Sequence, residues 1–258
     1  MGFRREVSNL DEADHRAAAR IAGEAGVLLL ALREEIGKGA DAHWIKAEGD
    51  RRAHELIMEQ LRAEFPDDAV LSEEGVDDPE RVGSRRCWVV DPLDGTREYG
   101  EPPRDDWAVH VALVVDGVAE GGAVALPARD HVLSTAAPPP APRRRDGPPR
   151  LAVSRTRAPK IASVVARALS AEVVEMGSAG AKAMAVVLGE ADVYLHAGGQ
   201  YEWDSAAPVA VATAAGLHAS RLDGSSLRYN QPDAYLPDLL ICRPELADVV
   251  HRAIPEVS

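Results

Sequence analysis

The stretch WVVDPLDGT, residues 88–96, opens as a hydrophobic strand and closes on two carboxylates, Asp91 and Asp94, set around Pro92. Turn chemistry accounts for part of it, since Asp, Pro and Gly all favour turns. It does not account for the wider set of acids at Asp50, Glu73, Glu74 and Asp204. Several of these fall at the ends of predicted strands or the starts of predicted helices, where α/β folds place ligands. Neighbouring carboxylates repel and raise each other's pKa, so a chain that gathers them needs a compensating cation. Oxygen ligands without His or Cys point to a hard ion, Mg²⁺ first.

The same turn offers more than acids. Pro92 shapes it so that the Leu93 carbonyl can face the same ion. Gly95 lets backbone approach a ligand closely. Thr96 brings a hydroxyl, and a helix starting here would aim free N–H groups at an anion. A cation site beside an anion cradle describes phosphate chemistry. The chain has no GxxxxGK[ST] loop, which removes the usual nucleoside-triphosphate machine.

Outward from this turn, the pattern alternates strands and helices. Residues 11–36 carry apolar positions at helical spacing (Ala18, Ile21, Ala22, Ala25, Leu28, Leu29, Leu32), and residues 50–64 form a second helix with Asp50 at or near its N-cap. DAVLSEE, CWVVD and HVLSTA read as strands, and WAVHVALVVDGVAEGGAVALP as two strands joined at Asp116-Gly117. The segment 137–150, rich in proline and arginine, is a connection or surface loop, with its arginines read as solvated. It divides an N-terminal α+β part, 1–136, from a C-terminal α/β part, 151–258. In the latter, RLAVS, helix 158–170, strand 172–176, helix 179–189, ADVYLHA and a helix over 204–215 closing at Gly216 follow in order. This is an α/β arrangement.

Bulk properties narrow the class. A chain of 258 residues with a formal charge of −13 argues against nucleic acid or an anionic membrane as partner, but not against anionic small molecules, because bound cations invert a local field. Cys87 and Cys242 stand far apart, so no disulfide framework or zinc ribbon is expected. The charged start MGFRREVSNLDEADH has no apolar signal core, and runs such as AGVLLLAL are too short to span a bilayer; a cytoplasmic protein is expected.

Asp50, the Glu73-Glu74 pair, DPLDGT at 91–96 and WDSAA at 203–207, taken in order and spacing, resemble the signature of the inositol monophosphatase superfamily, from the first helix to about residue 243. RDDWAVHVAL, GSAGAKAM, ADVYLHAGGQYEWDSAA and ASRLDGSSLRYNQ are most similar to its CysQ-type branch, the 3'(2'),5'-bisphosphate nucleotidases. The resemblance implies a layered α-β-α-β-α sandwich of the sugar-phosphatase type and a Mg²⁺-dependent, lithium-sensitive phosphatase with two or three ions per site. It also implies a homodimer.

Carried over residue by residue, the resemblance makes Glu73, Asp91, the Leu93 carbonyl, Asp94 and Asp204 the metal ligands, with Glu74 in support. Asp50 and Thr96 would take a proton from the attacking water, and the Gly95 and Thr96 amides would hold the phosphate beside Asp94. Ser178, Lys182 and His196 would bind the rest of the substrate. Here the chain departs from the branch. Ala179 stands where a serine tends to precede the lysine, and His196 where an arginine often sits. Read from the residues alone, Lys182 is equally an exposed helix charge, His196 an ordinary strand-end histidine and His110 a structural one. Trp107 and Trp203 read as core, and Arg97 and Arg104 as groups able to screen substrate charge. The implied reaction removes the 3'-phosphate of 3'-phosphoadenosine 5'-phosphate, or of its sulfated analogue, in sulfate assimilation. Inositol phosphate or fructose 1,6-bisphosphate are the alternative substrates. An inactive metal-binding regulator would show a broken acid set or no Thr96, and neither is seen.

Overall fold

A computed structural model describes residues 10–37, 39, 41–143 and 146–254. Helix α1 (Glu12–Gly37) starts at Asp11, whose carboxylate accepts from the Asp14 amide at 2.9 Å while Asp14 accepts from the Asp11 amide at 3.2 Å. This reciprocal cap satisfies two amides the helix leaves unpaired. Helix α2 (Ala42–Glu64) is longer than the sequence suggests. Its N-cap is Asp41, which accepts from His43 N at 3.0 Å, so Asp50 is a mid-helix residue and not the cap. The reason is the buried stripe Ile45, Gly49, Ala53, Ile57, Leu61, a four-residue repeat that carries one helix face straight through Gly49.

The first sheet holds β1 (Ala69–Ser72), β2 (Arg86–Asp94), β3 (Ala108–Val115), β4 (Val118–Leu126) and β5 (His131–Ser134), side by side in chain order. β1 runs parallel to β2, and the other pairs are antiparallel. Asp116 and Gly117, both at positive φ, make the β3–β4 turn expected from sequence. β2 does not stop at Asp91. It continues through Pro92 to Asp94 over a register irregularity against β3, which is where a strand can accept a proline. The two aspartates therefore lie on a bulged strand end, followed by the single-turn helix α3 (Thr96–Tyr99).

After the connection come β6 (Arg150–Ser154), α4 (Lys160–Leu169), β7 (Glu172–Met176), α5 (Ala179–Val187), β8 (Val193–Tyr201) and α6 (Glu202–Ala214). The sequence reading stops at Gly216. The structure adds β9 (His218–Ser220), β10 (Tyr235–Cys242) and α7 (Pro244–Ala253), and the second sheet has the order β7-β6-β8-β10-β9. Pro237 hides β10 from a periodicity search, and it too sits at a register irregularity.

The layers follow from the apolar faces. α1 and α2 cover the outer face of the first sheet through Ile21, Leu29, Ile57 and Leu61 against Trp88, Val90, Val109 and Val111. α5 and α6 lie between the two sheets, where Met184, Val186 and Val211 meet Val89, Ala112, Tyr194 and Ile241. α4 and α7 close the far side of the second sheet with Val165 and Val250 against Leu151, Val193 and Leu240. Burial of each such aliphatic side chain contributes roughly 1.5–3 kcal/mol. The result is the expected α-β-α-β-α sandwich. Among the described residues no helix is long and apolar enough to cross a membrane.

Candidate active site

Five segments converge on one cavity of about 700 Å³: the chain just after β1, the end of β2 with α3, the end of β6 with the loop after it, the start of α5, and β8 with its junction to α6. Asp91, Asp94 and Asp204 each offer a carboxylate oxygen, and these oxygens lie within 4.8 Å of one another. Glu73, just beyond β1, lines the same cavity, and its charge acts on Asp91.

The acids differ because their surroundings differ. Asp94 is clamped at the start of α5, accepting from Ala179 N at 3.1 Å and Gly180 N at 2.6 Å, with His110 Nε2 at 3.2 Å. Burial pushes its pKa up, but His110, Lys182 and the Gly180 amide outweigh that and hold it below the ordinary carboxylate value. His110 is fully buried, its Nδ1 facing the Trp203 carbonyl at 3.0 Å. Burial disfavours its charge, yet Asp94 holds its pKa above the usual histidine value. Asp91 is pushed well up by burial and then by Glu73, Asp94 and Asp204. Glu73 is raised chiefly by burial. Asp204 is raised to about 7 by burial and Asp94, although it accepts from Tyr201 N at 2.7 Å.

Three of these four carboxyl groups, Glu73, Asp91 and Asp204, are pushed above the ordinary carboxylate value by burial and by one another. The cluster thus holds more negative charge than its surroundings neutralise. An all-oxygen donor set that must otherwise take up protons fits a hard divalent cation.

Asp50 approaches from α2 and does not line the cavity. It stands beside Thr96, and burial, Glu74 and Glu73 raise it to about 7. The Thr96 hydroxyl lies 3.2 Å from the Leu93 carbonyl and so sits between base and strand end. Gly95 takes φ 85°, and a Cβ there would come within 2.8 Å of Ser178 Cβ. Only glycine lets α3 and α5 approach this closely. Ser178 is the α5 N-cap, accepting from Ala181 N at 2.9 Å.

Lys182 is not an exposed helix charge. It is 4% exposed, lies 5.3 Å over the Tyr194 ring and donates to the Gly177 carbonyl and, at 2.6 Å, to that of Ser178. Burial lowers its pKa to about 8. His196 lines the cavity with Nε2 2.8 Å from the Gly198 carbonyl, and burial keeps it neutral by lowering its pKa to about 4. Arg97 lines the cavity, whereas Arg104 is taken up by Asp106. Trp107 is core, and Trp203 is partly buried and stacked on Tyr201 with centroids 4.8 Å apart.

Arg157, Tyr194 and Gln200 also line the cavity and were not singled out from sequence. Arg157 follows β6 in a loop without a motif. Its guanidinium has no carboxylate partner among the described residues.

Residues 6–257 match the model of the inositol monophosphatase family. A 3'-phosphoadenosine 5'-phosphate phosphatase of Mycobacterium tuberculosis is 54% identical over 246 residues, covering 90% of each chain. The 3'(2'),5'-bisphosphate nucleotidase CysQ of Escherichia coli is 33% identical over 72% of this chain and 80% of its own. Among solved structures, CysQ from Bacteroides thetaiotaomicron superposes with a TM-score of 0.75 at 27% identity, over 90% of this chain and 97% of that one. Acids at the expected segment ends, a cavity suited to an anion beside a cation, and likeness along nearly the whole length agree: the chain belongs to the inositol monophosphatase family of metal-dependent phosphatases.

Proposed function

We propose that the protein hydrolyses the 3'-phosphate of 3'-phosphoadenosine 5'-phosphate, giving AMP and phosphate, with Mg²⁺ as the working ion. The observation that carries this reading is the polarity of the cavity. Glu73, Asp91, Asp94 and Asp204 supply the acidic wall, while Lys182 and Arg157 line the same space. A substrate with one phosphate to cleave and a second to be held fits such a lining. The 54% identical mycobacterial relatives, named for this substrate, support the same choice.

Glu73, Asp91, the Leu93 carbonyl, Asp94 and Asp204 would hold two or three Mg²⁺ ions. When bound, these supply charge for the transition state and lower the pKa of water. The chain's own residues do the rest. Thr96 holds its hydroxyl between Asp50 and the Leu93 carbonyl, so a proton arriving at Thr96 Oγ1 can pass to Asp50. A carboxyl group near pH 7 is suited to accept it. The amides of Gly95 and Thr96, at the left-handed turn into α3, are placed to hold the phosphate. Ser178, Lys182, His196 and Arg157 position the remainder of the nucleotide.

The test is phosphate release from 3'-phosphoadenosine 5'-phosphate, inositol 1-phosphate and fructose 1,6-bisphosphate, with Mg²⁺ and with lithium added. A kcat/KM at least ~100-fold higher for the nucleotide, about 2.7 kcal/mol of discrimination, is expected, with inhibition by lithium. Equal or better rates on either sugar phosphate would overturn the assignment of substrate.

A further inference from the structure

Arg81 is 2% exposed and does not line the cavity. A buried guanidinium is tolerated only when its donors are met. Here they are met by two segments remote in sequence. Nε donates to Asp77 Oδ1 at 2.5 Å and Nη2 to Asp77 Oδ2 at 3.1 Å. Nη1 donates to Asn230 Oδ1 at 2.9 Å and to the Gln231 carbonyl at 3.0 Å. Asn230 answers by donating Nδ2 to the Arg81 carbonyl at 2.8 Å and to that of Ser84 at 3.3 Å. The chain continues: the amides of Asn230 and Gln231 donate to the two oxygens of buried Glu202, at 2.6 and 2.8 Å.

The ends of this network matter. Asp77 belongs to the loop that begins at Glu73, immediately after β1. Glu202 opens α6, and Asp204 lies in the same first turn. Glu73 and Asp204 are the two acids of the cluster that do not come from the β2 strand end. We infer that Arg81 is a positioning residue, setting the distance between the Glu73 loop and the Asp204 helix through Asp77 on one side and Asn230 and Glu202 on the other. The inference rests on the metal-binding reading of the carboxylate cluster, but not on the identity of the substrate. A guanidinium is suited to the task because its planar fork meets both sides at once, which a lysine ammonium cannot do in the same geometry.

The experiment is calorimetric titration of Mn²⁺ into the full-length protein, with thermal unfolding followed in parallel. The variants are Arg81→Lys and Asn230→Gly. The glycine keeps the left-handed backbone that Asn230 adopts at φ 57°, retains its amide and removes only the side-chain link. Loss of partners behind metal ligands typically costs about 10–100-fold in affinity. Both variants are expected to weaken Mn²⁺ binding, Arg81→Lys by about tenfold or more and Asn230→Gly, which leaves the Arg81–Gln231 carbonyl bond in place, by several-fold, with the double variant no worse than about the stronger single one, because both act on one connection. Mn²⁺ affinity within about twofold of wild type in folded Asn230→Gly, whatever its melting temperature, overturns the inference, and that variant decides the matter if Arg81→Lys does not fold. Failure of the wild-type protein to bind Mn²⁺ at all would instead strike the metal-binding reading itself.

Discussion

Removing Arg157 separates recognition of the second phosphate from the chemistry at the first. Among the described residues its guanidinium makes no hydrogen bond or ion pair, so Arg157→Ala leaves no partner behind and should cost little stability. Its worth lies in the complex. At about 4 Å, a unit charge pair in a partly solvated site interacts by about 4 kcal/mol, before the cost of stripping water from both groups. Hydrogen bonds to charged groups retain about 1.5–3 kcal/mol of this, or roughly 10–150-fold in kcat/KM. The comparison substrate is 3'-AMP, which keeps the base, the ribose and the phosphate to be cleaved but lacks the 5'-phosphate. Arg157→Ala should lose roughly 10–150-fold on 3'-phosphoadenosine 5'-phosphate and less than about threefold on 3'-AMP, read as initial rates of phosphate release at saturating Mg²⁺. Equal losses on the two substrates would refute the reasoning, because the guanidinium would then serve the reacting phosphate or the fold.

Two further outcomes follow from the site. Asp94→Asn puts an amide NH₂ among the Ala179 and Gly180 amides and His110, which Asp94 meets only as an acceptor. The variant should keep its circular dichroism spectrum and lose about 10³-fold or more in kcat, and a rate within about tenfold of wild type would remove Asp94 from the reaction. Lys182, with its pKa lowered to about 8, is a cation below that pH and neutral above it. Affinity for the polyanionic substrate should therefore fall as pH rises through about 8, seen as a drop in kcat/KM, and Lys182→Arg, which stays charged, should abolish that drop.

The site was legible where one short stretch carries several roles. Asp91, Asp94, Gly95 and Thr96 lie within one turn of chain, and the strand before them is plain from Trp88, Val89 and Val90. The alternation of strands and helices was legible for the same reason, since apolar faces repeat locally, whereas the order of the layers came with the family resemblance. What escaped depends on contacts across the chain. His110 reads as one polar residue in an apolar strand, and only the folded protein brings it to 3.2 Å from Asp94. The family resemblance names Lys182 as a substrate-binding residue, but its enclosure by Tyr194 and two carbonyls is not readable from its helical spacing. Asp50 looked like a cap because Gly49 interrupts the side-chain pattern, although the backbone runs through it unbroken. β10 was lost to Pro237.

The charges of the cavity also bear on how a protein of formal charge −13 can take a polyanionic substrate. The lining carries the carboxylates of Glu73, Asp91, Asp94, Glu98 and Asp204 against the cations of Arg97, Arg157 and Lys182. Glu98 is offset by Arg155, whose Nε lies 2.6 Å from it, and Asp94 by His110, so the acids left short of counter-charge are Glu73, Asp91 and Asp204. Without a cation they repel a phosphate and share protons among themselves. A cation held by Glu73, Asp91, Asp94 and Asp204 would offset their charge and turn the local field toward an anion. Substrate and cation affinities in this cavity must then reinforce each other, because the free energy each gains from the other's presence is one shared quantity. The helix that carries Asp204 and the loop that carries Glu73 are held from behind by a buried arginine for the same physical reason. Like charges that must stand close before their counter-ion arrives have to be held there by the fold, and here backbone amides and a guanidinium fork, which also meets the Asp77 carboxylate, do the holding.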